Sequence, residues 1–214
     1  MTAARITRFC LVRHGETHWN SEKRIQGQID IDLNAAGEAQ ARALQSALAE
    51  HSFAAAYSSD LLRAWRTAQI ATAGLGLAVS PAPTLRERHF GVLQGITAQE
   101  ASMQRPHAFR HHHARTPDYD YETGESLIVF AARVMAGLDE LAARHAGQSV
   151  LAFTHGGVLD IVHRAAAGRT LDVPRDFSLP NAGCNWVEHC DSNWRLISWA
   201  DCSHLKQALD EVLE

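Results

Sequence analysis

There is no apolar run in the 214 residues that approaches the roughly 20 needed to cross a bilayer. Neither a transmembrane helix nor a membrane partner is expected. Residues 1–10 carry no apolar core of signal-peptide length. Cysteine is scarce: Cys10, Cys184, Cys190 and Cys202 are the four in the chain, and no two form a Cys-x-x-Cys pair. This usage predicts reduced, structural thiols in a cytoplasmic protein. Cys184, His189 and Cys190 lie close together but without the usual zinc-ligand spacing, so no metal is expected there. Neither sign of charge dominates. Lys and Arg number 20 against 24 Asp and Glu, a net charge of −4, which argues against a nucleic-acid partner. A Gly-x-x-x-x-Gly-Lys phosphate loop is missing. Gly74-Leu75-Gly76 stands without the rest of a dinucleotide fingerprint. Asp30-Ile31-Asp32-Leu33 follows no apolar strand, and as a calcium loop it would place Ala35 and Ala41 where glycine and glutamate are required. Internal repeats and low-complexity segments are absent.

The remaining composition is that of a globular chain, 46% apolar and 21% charged. Its length suits one domain spanning 1–214, with an irregular cap or insertion at about 90–125. Periodicity predicts strands over 6–12, 53–58, 77–80 and 149–154. A closing hairpin is predicted from 184–188 and 194–199, turning at Asp191-Ser192-Asn193. Ala41, Leu44 and Leu48 give one apolar face to a helix over 35–50, with Asn34 as its N-cap. Further helices are expected over 61–73, capped by Asp60, and over 126–145 and 156–167. Between 81 and 123, with Pro83, Pro106 and Pro117, loops and short helices are expected. Strands alternating with helices predict an α/β fold, a three-layer sandwich with a central, mostly parallel sheet flanked by helices. Ligands of such sheets bind beyond the carboxyl ends of the strands. Three predicted strand ends carry reactive groups, which points to one shared site.

The first group is Arg13-His14-Gly15-Glu16-Thr17, followed by Trp19-Asn20. A guanidinium forks onto phosphate oxygens, an imidazole is a good nucleophile towards phosphorus, and the glycine permits a sharp turn. The second is Thr154-His155-Gly156-Gly157, where a strand passes into a helix whose N-terminal N–H groups favour an anion. Ser58-Ser59-Asp60-Leu61-Leu62-Arg63 is the third. Arg63 lies in the first helical turn, where the helix dipole disfavours a cation. The fourth is Leu85-Arg86-Glu87-Arg88-His89-Phe90-Gly91, a carboxylate among basic residues. Each alone has an ordinary reading: a surface turn, a tightly packed turn histidine, a solvated helix face, a simple ion pair.

Taken in order along the chain, the four groups resemble the histidine phosphatase superfamily, the phosphoglycerate mutase-like proteins, over nearly the whole length. The resemblance implies that His14 is the nucleophile that becomes a phosphohistidine. It places Arg13, Arg63 and His155 in a cationic cage around the phosphoryl group. Asn20, Gln26 and Gly27 match a substrate-contacting stretch, with Gly156 beside the cage, and Glu87 matches the residue that protonates the leaving oxygen. No metal and no cofactor are implied. Physically, two arginines and a histidine supply the charge stabilisation that phosphoryl transfer needs. The same positive neighbours keep His14 unprotonated and able to attack.

The resemblance also divides the family's branches. Cofactor-dependent mutases carry His-Gly-Asn where this chain has His155-Gly156-Gly157, and a lysine where it has Ala98. Their Arg-Arg pair and proline run are missing from the stretch 109–117. Gln26-Gly27 and Thr123-Gly124-Glu125-Ser126-Leu127 look like the phosphatase branch, whereas Glu87-Arg88-His89-Phe90-Gly91 is close to the mutase version. The expected activity is hydrolysis of a small phosphorylated metabolite through phosphohistidine on His14. The alternatives are a cofactor-dependent phosphoglycerate mutase and a phospholigand-binding pseudoenzyme. A monomer or homodimer is expected. His111-His112-His113, with His107 nearby, is expected to form an exposed loop above the site. Its other readings are a metal site or an entrance that reads a second anionic group.

Overall fold

The structure is a computed structural model that describes residues 5–191 and 193–205. Its strands are β1 (Thr7–Arg13), β2 (Ala55–Ser58), β3 (Val79–Pro81), β4 (Ser149–Thr154), β5 (Cys184–Cys190) and β6 (Asn193–Asp201). Its helices are α1 (His18–Ser21), α2 (Ala35–Ala49), α3 (Leu62–Ala71), α4 (Ala98–Gln104), α5 (Pro106–His113), α6 (Leu127–Arg144) and α7 (Gly156–Ala167). The strands form one sheet in the order β3-β2-β4-β1-β5-β6. β3, β2, β4 and β1 run parallel, while β5 and β6 close one side as an antiparallel hairpin. Of the predicted hairpin turn, Ser192 lies outside the described residues.

β1 and β4 are apolar on both faces because both faces are covered. Along β1 the side chains alternate with the pleat. Phe9 and Leu11 join Phe130, Val134 and Leu138 of α6 and Leu159 and Val162 of α7. Cys10 and Val12 point the other way, to Leu44 and Leu48 of α2 and Ala68 and Ala71 of α3. Two helical layers thus sandwich the sheet. No disulfide joins the cysteines among the described residues.

Three local expectations are corrected. Leu61, not Asp60, is the N-cap of α3 and makes no side-chain cap bond. Asp60 instead accepts from the Arg86 guanidinium at 2.7 Å, a two-pronged ion pair that outweighs one cap bond. The 13–33 stretch, read as irregular, contains α1, held by a capping box between Thr17 and Asn20. The histidine run is no loop but the last turns of α5, opened by Pro106 at its first position. The insertion that carries it packs Leu93, Ala101, Ala108 and Tyr121 into a small core of its own. It is tied to α7 by Arg115, whose guanidinium donates to Asp160 at 2.6 Å and to the Leu171 carbonyl at 2.8 Å.

Candidate active site

Sheet register assembles the site. Arg13 pairs with Thr154 and Ser58 with Phe153, so β1, β4 and β2 end side by side. The ladder continues one step further: His14 N–H donates to the Thr154 carbonyl and Ser59 N–H to the Phe153 carbonyl, each at 2.9 Å. His14, His155 and Ser59 therefore leave neighbouring strands at one level. The ring centroids of His14 and His155 are 5.2 Å apart.

His14 Nδ1 lies 2.7 Å from the carbonyl oxygen of Gly15. A carbonyl only accepts, so Nδ1 carries the proton and Nε2 keeps the lone pair. Burial, then Arg63, then Arg13 push the His14 pKa well below the ordinary histidine value. The same holds for His155, driven by burial first and then by Arg63, His14 and Arg13. Both imidazoles are neutral at neutral pH. His155 Nε2 is 2.8 Å from Ser59 Oγ, while its Nδ1 is buried and unbonded among the described residues.

Arg63 is wholly buried. Its guanidinium donates to the Gly27 carbonyl at 2.6 Å and to the Ile29 carbonyl at 3.1 Å, with no carboxylate on it among the described residues. Its Nε is also buried without a partner among the described residues. Burial lowers its pKa to about 10, with Glu87 and Asp30 pulling the other way. Arg13 reaches the Leu179 carbonyl. Buried polar atoms are almost always bonded. The unsatisfied nitrogens of Arg63 and His155, in a cluster of cations, suit an anion that brings several acceptor oxygens.

Glu87 closes one side. Its Oε2 accepts the N–H of Gly157 at 2.9 Å and its Oε1 the N–H of Arg88 at 2.8 Å. The segment bearing it is fastened by Arg133, which donates to the carbonyls of Thr84, Arg86 and Glu87 and grips Glu125 at 2.8 Å with two nitrogens. Gln28 Nε2 adds a bond to the Glu87 carbonyl at 3.0 Å.

Of the residues singled out from sequence, the structure brings together Arg13, His14, Arg63, Glu87 and His155. Gly27 lies against Arg63, and Gly156 opens α7 beside them. Gln26 is 9% exposed, with its side-chain oxygen unbonded among the described residues. Asn20 is different: its side-chain oxygen accepts from Thr17 N–H and Thr17 Oγ, both at 3.0 Å, so its bonds are local. Gly15 has a role other than the sharp turn expected. A Cβ there would sit 2.5 Å from the Gly37 carbonyl oxygen, so the glycine admits the backbone of α2.

Sequence reasoning missed Ser59, Arg133, Glu125 and Asn181, whose Nδ2 donates to the His14 carbonyl at 3.0 Å. Ser59 stood inside the third group and Glu125 inside the Thr123–Leu127 stretch, neither with this role assigned. Arg133 and Asn181 reach Glu87 and His14 across long sequence separations, for which spacing carries no signal. Among the described residues, no group of three or more His, Cys, Asp or Glu is placed to hold a metal ion. No described helix is long and apolar enough to cross a membrane.

Comparison with known proteins agrees with this geometry. The family model of the histidine phosphatase superfamily (branch 1) matches residues 9–202. A metal-independent phosphoserine phosphatase of Arabidopsis thaliana is 41% identical over 203 residues, covering 94% of this chain and 84% of that protein. Phosphoglycerate mutase-like protein 4 of the same plant is 38% identical over 201 residues, covering 92% and 86%. Among solved structures, Bacillus stearothermophilus YhfR superposes with a TM-score of 0.84 at 31% identity, covering 92% of this chain and 98% of that one. A mycobacterial glucosyl-3-phosphoglycerate phosphatase bound to VO3 gives 0.79 at 30% identity, covering 92% and 99%. With the family model matched over nearly its whole length and a relative 41% identical across it, this chain belongs to the histidine phosphatase superfamily, branch 1.

Proposed function

We propose that the protein is a metal-independent phosphomonoester hydrolase that works through a phosphohistidine on His14. One observation carries this reading above the others. His14 is buried among Arg13, Arg63 and His155, neutral, with its Nδ1 proton committed to Gly15 and its Nε2 lone pair available. In the first step Nε2 bonds to phosphorus and the ester P–O bond breaks. The electron pair leaves with the alcohol oxygen, which takes a proton from the Glu87 carboxyl. Arg13, Arg63 and His155 hold the equatorial oxygens. In the second step water attacks phosphorus, the N–P bond breaks and Glu87 takes a proton from that water. Like charge favours a protonated carboxyl, and the arriving phosphoryl group supplies that charge next to Glu87. We read the chain as one domain acting on a small phosphorylated metabolite, with the insertion as the segment that meets its alcohol part.

The experiment is a screen of phosphorylated metabolites with released phosphate as the signal. O-phosphoserine stands first in it because a relative is named for that substrate. Turnover of one or a few monoesters is expected. A second assay uses 3-phosphoglycerate with a trace of the 2,3-bisphosphate. Rapid isomer exchange with little free phosphate would overturn the hydrolase reading in favour of a mutase.

A further inference from the structure

Ser59, the residue after β2, is fully buried, and the Ser58 hydroxyl holds its carbonyl at 2.8 Å. Among the described residues its own hydroxyl meets Leu61 N–H, which donates to it at 3.3 Å, and His155 Nε2 at 2.8 Å. The turn into α3 needs only an acceptor, so the long bond from Leu61 leaves the hydroxyl hydrogen unused. That hydrogen and the His155 proton decide one another. A neutral imidazole has one N–H and one lone pair. With the proton on Nε2, the Ser59 hydrogen and the Nδ1 lone pair would both be buried without partners. With Ser59 donating to Nε2, only an Nδ1–H is left over. Buried polar groups are almost always paired, which selects the second arrangement. His155 is the N-cap of α7, yet its side chain makes no cap bond, so Nδ1 is not engaged there as an acceptor.

We propose that Ser59 is a positioning residue for phosphoryl transfer. Its hydroxyl donates to Nε2 of His155 and so holds the ring in the tautomer that offers Nδ1–H to a phosphoryl oxygen. The other tautomer would set a lone pair against the anion and repel it. The two histidines then use opposite nitrogens. His14 spends its Nδ1 proton on the Gly15 carbonyl and attacks with Nε2. His155 spends its Nε2 lone pair on Ser59 and donates from Nδ1. A donor to the equatorial oxygens serves formation and hydrolysis of the phosphoenzyme alike. This rests on the phosphohistidine reading above, and the test separates the two.

The parent, labelled with ¹⁵N-histidine, is read by NMR at pH 8, where the His155 ring is neutral. A His155→Gln spectrum identifies the signals of that ring. Nδ1 should carry the proton and Nε2 the lone pair. The reverse overturns the proposal, and this measurement needs no variant of Ser59 to fold. In Ser59→Ala nothing fixes the tautomer, so the two nitrogen shifts should move towards one another. Rates are measured on p-nitrophenyl phosphate. Losing a preorganised donor outright costs about 10²–10³. Ser59→Ala keeps the imidazole and loses only its orientation, so kcat should fall about 10-fold with KM changed less than about 3-fold. In a His155→Ala background, with no ring to orient, adding Ser59→Ala should cost under about 2-fold. An unchanged kcat in Ser59→Ala, or the same loss in the His155→Ala background, would each overturn the proposal. A His14→Ala variant that still hydrolyses p-nitrophenyl phosphate would instead overturn the phosphohistidine reading, whichever tautomer His155 adopts.

Discussion

The cage at the strand ends and the insertion around α4 and α5 are built on opposite principles. In the cage, Arg63 and His155 are fully buried, and Arg13 and His14 are 2% and 3% exposed. Arg13, His14 and Arg63 bond main-chain carbonyls of Gly15, Gly27, Ile29 and Leu179, and His155 meets the buried Ser59 hydroxyl. The insertion is held by imidazoles against aromatic rings. His111 lies flat on Tyr119 with centroids 4.2 Å apart, and His112 meets Phe90 edge-on and bonds the Tyr121 hydroxyl at 3.0 Å. Contacts of the second kind contribute about 0.5–1.5 kcal/mol each beyond burial. Rigid main-chain anchors fix charge before the substrate arrives, which is what electrostatic catalysis requires. Small, separable ring contacts let the insertion adapt without disturbing that charge.

The comparison breaks most completely at His14. His14→Ala should reduce phosphate release to the uncatalysed background, because no other side chain in the cage has a free imidazole lone pair at the required place. An acid-labile, base-stable phosphoryl label on the parent after rapid quenching is the positive counterpart. Next come Arg63→Ala and His155→Ala. Each removes one preorganised group and should cost about 10²–10³ in kcat, with circular dichroism unchanged. Retention of more than a tenth of the activity by either would place that residue outside the cage.

Acid should sharpen the contrast. The folded protein holds His14 and His155 well below the ordinary value of 6.5, which both regain on unfolding. Between those limits the unfolded chain binds more protons, so stability falls as pH drops from about 6.5. The stabilising contribution is complete above that value. Melting temperatures measured from pH 8 to pH 5 should decline on the acid side, and His155→Gln should flatten the decline. A flat parent profile would show that the two rings are not buried neutral.

Arg133→Met should cost about 1–3 kcal/mol, the range for leaving a hydrogen-bonded group without its partner, because Arg133 and Glu125 are both half-buried. Glu125 is the residue left behind. Urea denaturation measures this. The smallest effect belongs to the insertion. His113 is exposed, and His113→Ala should change stability by less than about 0.5 kcal/mol, with activity in EDTA equal to activity without it. Loss of activity on chelation, restored by Zn²⁺, would return the histidine run to consideration as a metal site.

Much of this arrangement was legible in residue order. The apolar runs of 9–12 and 150–153 are short and continuous; the first is followed at once by Arg13-His14 and the second, after Thr154, by His155-Gly156-Gly157. Asn34 caps α2 as read, accepting from Gly37 N–H at 2.8 Å. Local rules failed where a distant partner won. Asp60 has the chemistry of a helix cap, but Arg86, 26 residues away, offers two donors. The histidines of 111–113 look like a polar loop. In the fold, Tyr119 and Tyr121 give two of them a face to pack on, and that stabilises a helix. Ala182 is fully buried with φ at +55°, and its N–H reaches the carbonyls of Arg13 and His14. Nothing in an alanine announces such a conformation. It exists because the loop before β5 must cap two strand-end carbonyls from outside.

The position of β1 in the sheet has a consequence in time. β1 leaves the ribosome before the other described strands, yet both of its neighbours, β4 and β5, begin at residues 149 and 184. At 5–20 residues per second, His14 waits on the order of ten seconds for the strand beside it. Throughout that interval it is an ordinary imidazole with no reactive surroundings. The chemistry therefore switches on with closure of pairings between strands far apart in the chain, the kind of pairing that slows folding most. Recovery of phosphatase activity after dilution from urea should track that last docking event, lagging behind the helical signal.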